Sequence, residues 1–178
     1  MNLPQIPVRK TPSHGTEFDM SPYCDSMLKL DMSISFEGLS PAKTFQIMGD
    51  PKLLKNWYLL VEDVHIHPPK SNGESDFDVD FFLFGRVHEE ILYWDEPNQY
   101  VYRASGDDFP IKNYVALIEV QKKGPQEGVM IWRQYFDEIE GLSNQRLLPV
   151  ILPAINEFSL KKLAKLIGGT EITIESHF

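Results

Sequence analysis

LPVILPAINEFSLKKLAKLI, residues 148–167, is the one long stretch of this chain with a helical period. At about 100° per residue, apolar side chains collect on one side of a helix. They are Leu148, Ile151, Leu152, Ile155, Phe158, Leu163, Leu166 and Ile167. Lys161 and Lys165 lie on the opposite side, and Gly168-Gly169 predicts the end, since glycine forms a left-handed C-cap at little cost. So wide an apolar stripe must be buried, and its partner has to come from the preceding chain.

The preceding chain has the pattern of β-strands, in which apolar and polar residues alternate between turn signals. Seven strands are predicted, at residues 27–36, around 64–66, 76–83, 85–94, 99–105, 113–122 and 129–138. Their connections are short, apart from the one that follows the first strand, and short connections favour antiparallel neighbours.

Two short helices are predicted directly after the first strand. Ser40-Pro41 and Asp50-Pro51 are both helix-start signals, because the first residue caps the helix and proline tolerates its first position. Gly49 separates the two, so they form an elbow rather than one rod.

This order of elements predicts an α+β fold, in which a seven-stranded antiparallel sheet curves around the long C-terminal helix. A space between the sheet and the helix follows from such a wrap. Residues 1–26, rich in proline and without a period, are predicted to be an irregular arm. The domain is expected to span residues 27–169, and residues 170–178 are expected to form a tail.

Composition restricts the classes of function. A chain of 178 residues fits a single domain, and its net charge of -9 disfavours nucleic acid and anionic lipid surfaces as partners. Cys24 is the only cysteine, so no internal disulfide forms. The N-terminus shows no apolar signal core, and no segment is long enough to insert into a membrane. We therefore expect a soluble, cytoplasmic protein.

Few residues suggest chemistry. His65 and His67 share a strand face, with His88 on a later strand, but no cysteine or ligating carboxylate is placed with them. The prediction is therefore an exposed or hydrogen-bonded pair and no metal. The aspartates at 76, 78 and 80 are interpreted as the solvent face of a strand. No nucleophile or phosphate-binding motif is present, so neither a cofactor nor a catalytic residue is assigned.

Polar side chains that the alternation turns inward are the candidates for a binding site. We predict that Tyr102, Tyr114, Trp132, Gln134, Asn156 and Ser159 line a cavity between the sheet and the helix. A mostly apolar pocket with a few polar groups is typical of small-molecule sites. The alternative is a filled core in which the tyrosine hydroxyls reach backbone or water.

The outward faces of the last two predicted strands also matter. Arg133 on the last strand and Arg103 on the strand at residues 99–105 are each expected to pair with an acidic residue on the outer face, although either one turned inward would bind a carboxylate. The same faces carry an apolar set: Val115, Leu117, Val129, Ile131 and Tyr135. If this set is exposed, it marks an interface, which is the basis for predicting a homodimer.

Four local motifs resemble those of a known family. They are Ser40-Pro41-Ala42 through Asp50-Pro51 to Trp57, residues 85–94 with Asp95-Glu96-Pro97, Tyr102-Arg103 through Pro110 and Tyr114, and residues 132–136. Their order resembles the START/Bet v 1-like helix-grip superfamily, and within it the polyketide cyclase/dehydrase and lipid-transport family. The resemblance covers about residues 27–168.

The resemblance implies a hydrophobic small molecule, such as a lipid or polyketide, as ligand, with cyclase or dehydrase activity in some members. A second function class is protein interaction, which the resemblance to chaperone-activator members of the same fold implies. That class would have a filled core and act through its outer surface.

Overall fold

The computed structural model describes residues 18–71, 73–137 and 139–178, together with the backbone of Val8–Arg9. Its strands are β1 Val8–Arg9, β2 Leu28–Glu37, β3 Val61–Ile66, β4 Phe77–Phe81, β5 Gly85–Asp95, β6 Gln99–Ser105, β7 Tyr114–Gly124, β8 Glu127–Tyr135 and β9 Gly169–Ser176. Its helices are α1 Pro41–Gly49, α2 Leu54–Trp57 and α3 Leu142–Ile167, with a 3-10 turn at Pro51–Leu53. The helix-start signals hold, since Ser40 Oγ accepts from the Lys43 amide and Asp50 Oδ1 accepts from the Lys52 amide.

One open sheet carries the fold, with the strand order β1-β9-β2-β8-β7-β6-β5-β4-β3. All pairings are antiparallel except the short parallel contact of β1 with β9. The predicted α+β helix-grip architecture is confirmed. The predicted number of seven strands is wrong: in the described part of the chain, eight strands have five or more residues, and β1 adds a pair of residues at the edge.

The additional strand is the C-terminal segment that we predicted to be a tail. β9 pairs along β2, and Ile172 and Ile174 are buried in the core. Gly168 reverses the chain after α3, and the alternation of Ile172, Thr173 and Ile174 then suits a half-buried strand. The sheet therefore continues past residue 170 and leaves no free tail there.

The N-terminal arm, where the structure describes it, covers the outer side of the sheet. Phe18, Met20 and Tyr23 pack over a cluster that includes Val101 and Leu117. The five apolar side chains of the outward strand faces, Val115, Leu117, Val129, Ile131 and Tyr135, are all buried. The homodimer stays a prediction, but the exposed patch that motivated it is absent. Residues 1–7 and 10–17 lie outside the described residues.

Helix α3 begins earlier than the sequence pattern indicated and contains Pro149 and Pro153 within its length. It ends as predicted, with Gly168 in the left-handed conformation at φ 73° and ψ 38°. Its buried stripe is narrower than predicted, because Phe158 and Leu166 remain 62% and 45% exposed.

The two arginines behave as expected on the outer face. Arg103 pairs with Glu90 at 3.1 Å near the surface, and the buried Arg133 pairs with Asp31 at 3.2 Å. Both side chains lie on the outer face and not in the space between the sheet and the helices. Neither therefore serves as an inward anchor for a carboxylate ligand.

Candidate functional site

Two adjoining chambers lie between the concave face of the sheet and the helices. In each chamber, the volume that the centre of a water molecule can occupy is about 40 Å³. The residues that border both chambers are Tyr58, Phe81, Glu89, Tyr102 and Trp132. The first chamber extends to α1 and α2, and the second to Leu152 of α3 and to Phe109. The predicted internal space is therefore present, but it is small and divided.

Four of the six predicted lining residues border these chambers. Tyr102 and Trp132 border both, whereas Tyr114 and Gln134 border only the second. Asn156 and Ser159 are fully buried but border neither chamber. The strand residues therefore border the internal space, whereas the two helix residues do not, and the role of the six residues in binding stays a prediction.

Asn156 and Ser159 attach α3 to the segment between α2 and β3. Ser159 Oγ accepts a hydrogen bond from the Leu59 amide at 2.9 Å and donates one to the Ile155 carbonyl at 2.8 Å. Tyr58 donates from its hydroxyl to Asn156 Oδ1 at 3.1 Å, and the Asn156 amide lies 3.4 Å from Gln134 Oε1. These contacts hold Tyr58 in the wall between the two chambers.

Glu89 is the functional candidate that the sequence analysis missed. It lies between Val87 and Ile91 on the inward face of β5, and both of these neighbours are buried in the core. Among the described residues that line the chambers, it is the only carboxylate. Its position in the alternation of β5 was the available signal, because an inward glutamate interrupts an apolar face.

The Glu89 side chain borders the chambers and is only partly buried by surface area, and its carboxyl makes no hydrogen bond or ion pair within the described part of the chain. Removal from bulk water raises its pKa to about 8. Desolvation disfavours the charged form, so at neutral pH the group is mostly the neutral acid. A neutral carboxylic acid has an O–H to donate as well as a carbonyl oxygen to accept.

The aromatic groups around Glu89 differ in whether their polar atoms are satisfied. Tyr100 donates to the Met48 carbonyl at 2.9 Å, and the hydroxyls of Tyr102 and Tyr114 are near enough to shift each other's pKa. By contrast, the buried indole nitrogens of Trp57 and Trp132 have no hydrogen-bond partner among the described residues. Both indoles border the first chamber. The site therefore combines an aromatic lining with unsatisfied polar groups.

His65, His67 and His88 lie on the opposite, outer face of the sheet. His65 Nε2 contacts Asp80 at 2.8 Å, whereas His67 Nε2 and His88 Nδ1 both contact Asp78 Oδ1, at 3.1 Å and 2.8 Å. The interpretation of the aspartates as an outer strand face is correct. The sequence analysis placed no carboxylate with the histidines, and in this respect it was wrong.

The chain matches a protein-family model over most of its length. The sequence model of the family described as polyketide cyclase/dehydrase and lipid transport matches residues 27–168. The chain belongs to this family. Family and fold together indicate binding of a hydrophobic ligand or a cyclase-like function, and they leave the substrate open. Comparison with curated protein sequences found none that matches.

Several solved structures share the fold at low sequence identity. A START superfamily protein from Mycobacterium smegmatis has a TM-score of 0.61 at 13% identity, covering 80% of this chain and 95% of its own. A protein from Thermobifida fusca has 0.61 at 21%, covering 79% and 93%. A norcoclaurine synthase mutant from Thalictrum flavum, bound to a transition-state analogue, has 0.57 at 14%, covering 81% and 96%. These likenesses show the fold alone.

No helix among the described residues has both the length and the hydropathy to cross a bilayer. The cytoplasmic location and the absence of nucleic-acid partners remain expectations from the sequence.

Proposed function

We propose that this protein binds a small, mainly apolar molecule in the space between the sheet and α3, with Glu89 as its polar anchor. The observation that carries the proposal is a carboxyl group without a protein partner inside an aromatic chamber. Buried polar groups are nearly always hydrogen-bonded in proteins, so an orphaned one needs an explanation. A bound ligand that pairs with Glu89 provides it.

The unsatisfied groups also describe the polar part of the ligand. The protonated Glu89 is a donor, and the indole N–H groups of Trp57 and Trp132 are donors only. A ligand with carbonyl or hydroxyl oxygens would accept from these groups. Its apolar part would contact the rings of Tyr102 and Phe81.

The size of the chambers sets a condition on binding. Ligand pockets usually measure about 300–1,000 Å³, far more than either chamber offers. A ligand of one or more rings therefore needs the two chambers to merge. Tyr58 and Phe81 stand between them with ring centroids 5.7 Å apart. Because Tyr58 is hydrogen-bonded to Asn156, a rotation of Phe81 is the expected opening movement.

A binding experiment with matched variants tests the proposal. The probe is prodan, a neutral fluorescent naphthalene that carries a ketone. We expect saturable 1:1 binding with a blue-shifted emission, weakened about tenfold by Glu89→Leu, in line with the loss of one hydrogen bond to the ligand. Glu90→Leu is the control, because Glu90 is the next residue and pairs with Arg103 on the outer face.

Equal weakening by the two variants, or no saturable binding by the unmodified protein, would contradict the proposal. Native mass spectrometry of protein purified from its host adds a second readout. A co-purified apolar ligand, retained by the Glu90→Leu protein and lost from the Glu89→Leu protein, is the expected result.

Cyclase or dehydrase chemistry would be an extension of the same site. A positioned carboxylic acid beside a ligand carbonyl is the arrangement that general acid–base catalysis requires. Glu89 would transfer the proton, and the chamber walls would fold the substrate. Conversion of a bound carbonyl substrate, abolished by Glu89→Gln while binding persists, would distinguish catalysis from carriage.

Protein interaction is the second candidate function. It is favoured by the nearly filled interior and by an open surface groove of about 500 Å³ between the arm and the chain around Phe109. The groove is lined by Tyr23, Cys24, Arg103 and Lys112, among others. A clean ligand-free mass together with a stoichiometric protein partner would favour this function over ligand binding.

A further inference from the structure

We propose that His67, Asp78 and His88 form a binding site for a divalent transition-metal ion on the outer face of the sheet. The three residues come from three neighbouring segments: His67 directly follows the edge strand β3, Asp78 lies on β4 and His88 on β5. Asp78 and His88 are directly opposite each other in the β4–β5 ladder. The His67 amide donates to the Asp76 carbonyl at 2.9 Å, which extends the β3–β4 ladder and places His67 diagonally from Asp78.

The side chains converge on one point. His67 Nε2 and His88 Nδ1 both approach the same oxygen, Asp78 Oδ1, and the ligand atoms that the three residues offer lie within 4.8 Å of one another. The centroids of the two imidazole rings are 5.3 Å apart. Zinc bound by protein has nitrogen and oxygen ligand atoms at about 2.0–2.2 Å, so small rotations of the three side chains bring them around one ion.

Asp78 differs from the neighbouring carboxylates in its ion-pair partners. Each neighbouring carboxylate on this face contacts a permanent cation: Asp63 with Lys55, Asp76 with Lys70, Asp80 with Arg86 and Glu90 with Arg103. Within the described residues, Asp78 forms ion pairs only with the two imidazoles, and Arg86, whose guanidinium is bonded to Asp80, acts on it only from a longer distance. A divalent ion bound by neutral imidazoles supplies the positive charge that the other carboxylates receive from lysine or arginine.

The donor set and its exposure select the kind of ion. Two imidazole nitrogens and one carboxylate oxygen suit zinc, cobalt or nickel, whereas calcium and magnesium prefer oxygen ligands alone. The side chains of His67 and His88 are 42% and 40% exposed, so an ion reaches the site from solvent. Three protein ligands leave room for water at the remaining positions. The ion would tie the edge strand β3 to β5.

Metal titration of the full chain tests this site. After treatment with a chelator and desalting, we expect one zinc ion to bind with micromolar affinity in calorimetry. Cobalt should give visible absorption bands from nitrogen and oxygen ligation, and zinc should displace it. His67→Asn, His88→Asn and Asp78→Asn should each weaken zinc binding about tenfold or more, because each removes one of only three ligands.

His65→Asn is the matched control. His65 lies two residues from His67 on the same outer face but contacts Asp80 and Arg86 instead of Asp78. Its replacement should change zinc affinity by less than about a factor of two, since no metal ligand is lost. Circular dichroism of each variant verifies folding. The proposal is overturned if zinc does not saturate at one equivalent, or if His65→Asn weakens binding as much as His67→Asn does.

Discussion

At the scale of the residue, Glu89 is the feature that separates this interior from an ordinary hydrophobic core. Its neighbours Val87 and Ile91 contribute to the core by burial, whereas the unpaired carboxyl loses its hydration without receiving a partner. A leucine in its place would stabilise the fold. A group that costs stability inside a cavity is therefore a functional candidate with a physical rationale.

The pH dependence of stability follows from this burial. The pKa of Glu89 is about 8 in the folded protein against an ordinary value of 4.5. Below about pH 4.5 both states hold the proton, so burial of the carboxyl has no pH-dependent effect. Between the two values the unfolded chain releases its proton first, and the free energy of unfolding falls as the pH rises.

The variant Glu89→Gln removes this titration. Relative to the unmodified protein, the free energy of unfolding of this variant should increase as the pH rises from about 5 to about 8.5. The difference should reach at most about 4 kcal/mol. Urea denaturation in the presence of EDTA measures the difference without a contribution from metal. Parallel pH profiles for the two proteins would show that Glu89 is not buried as described.

At the scale of the element, α3 is held in its middle and at its C-terminal end by different means. Asn156 and Ser159 connect its middle to Tyr58 and Leu59 through hydrogen bonds. At its C-terminus, Gly168 reverses the chain, and its carbonyl accepts from the Glu37 amide at the end of β2. The reversal places β9 beside β2, so one residue joins the helix to the sheet.

Replacement of Gly168 tests that junction. In Gly168→Ala, the backbone at this position would have to stay left-handed, at φ 73°, which is costly for a residue with a Cβ. The added Cβ would also overlap the Glu37 carbonyl oxygen. We expect a loss of about 3 kcal/mol or more in the free energy of unfolding, since the conformational cost and the clash add. Thermal and urea denaturation measure the loss.

Gly38→Ala is the control for the conformational cost by itself. Gly38 has φ 86°, but no atom lies within 4 Å of the place that an added Cβ would occupy, so only the left-handed backbone is penalised. A loss of about 1 kcal/mol is expected. If the two variants lose the same stability, the close approach of Gly168 to β2 has no energetic role.

At the scale of the whole molecule, the helices cover the concave face of the sheet, and the arm covers the part of the outer face that β6, β7 and β8 form. The rings of Phe18, Tyr23 and Tyr93 contact each other with centroids 5.6–6.0 Å apart. Together with Met20 they cover Val101 and Leu117, which are fully buried. The arm therefore takes the place that a second subunit would need in order to dimerise through this face.

Removal of residues 1–24 should expose that face. The truncated protein is expected to retain its β-sheet signal in circular dichroism and to self-associate at micromolar concentration, because a contiguous apolar patch becomes accessible. Light scattering compares it with the full chain, which should not associate through this surface. A truncated protein that remains monomeric would mean that the arm is not the cover of an interface.

The sequence by itself determined much of the architecture. The alternation along residues 27–36 and 99–105 predicted strands that the structure contains, and Gly168 predicted the end of α3. These signals are local, since a period of two or 3.6 and a cap depend on residues within one element. Tyr102 and Trp132 were placed in the interior for the same reason.

Only the tertiary structure decided the features that depend on distant residues. Asp78 lies beside His67 and His88 through strand register, and the arm buries Leu117 through a contact that no period encodes. The C-terminal strand β9 is recognisable once β2 is beside it. Likewise, the residues that pack around Glu89 come from other elements, and they determine whether its carboxyl has a partner. Local patterns determine elements, whereas partners across the fold determine exposure, charge pairing and the site.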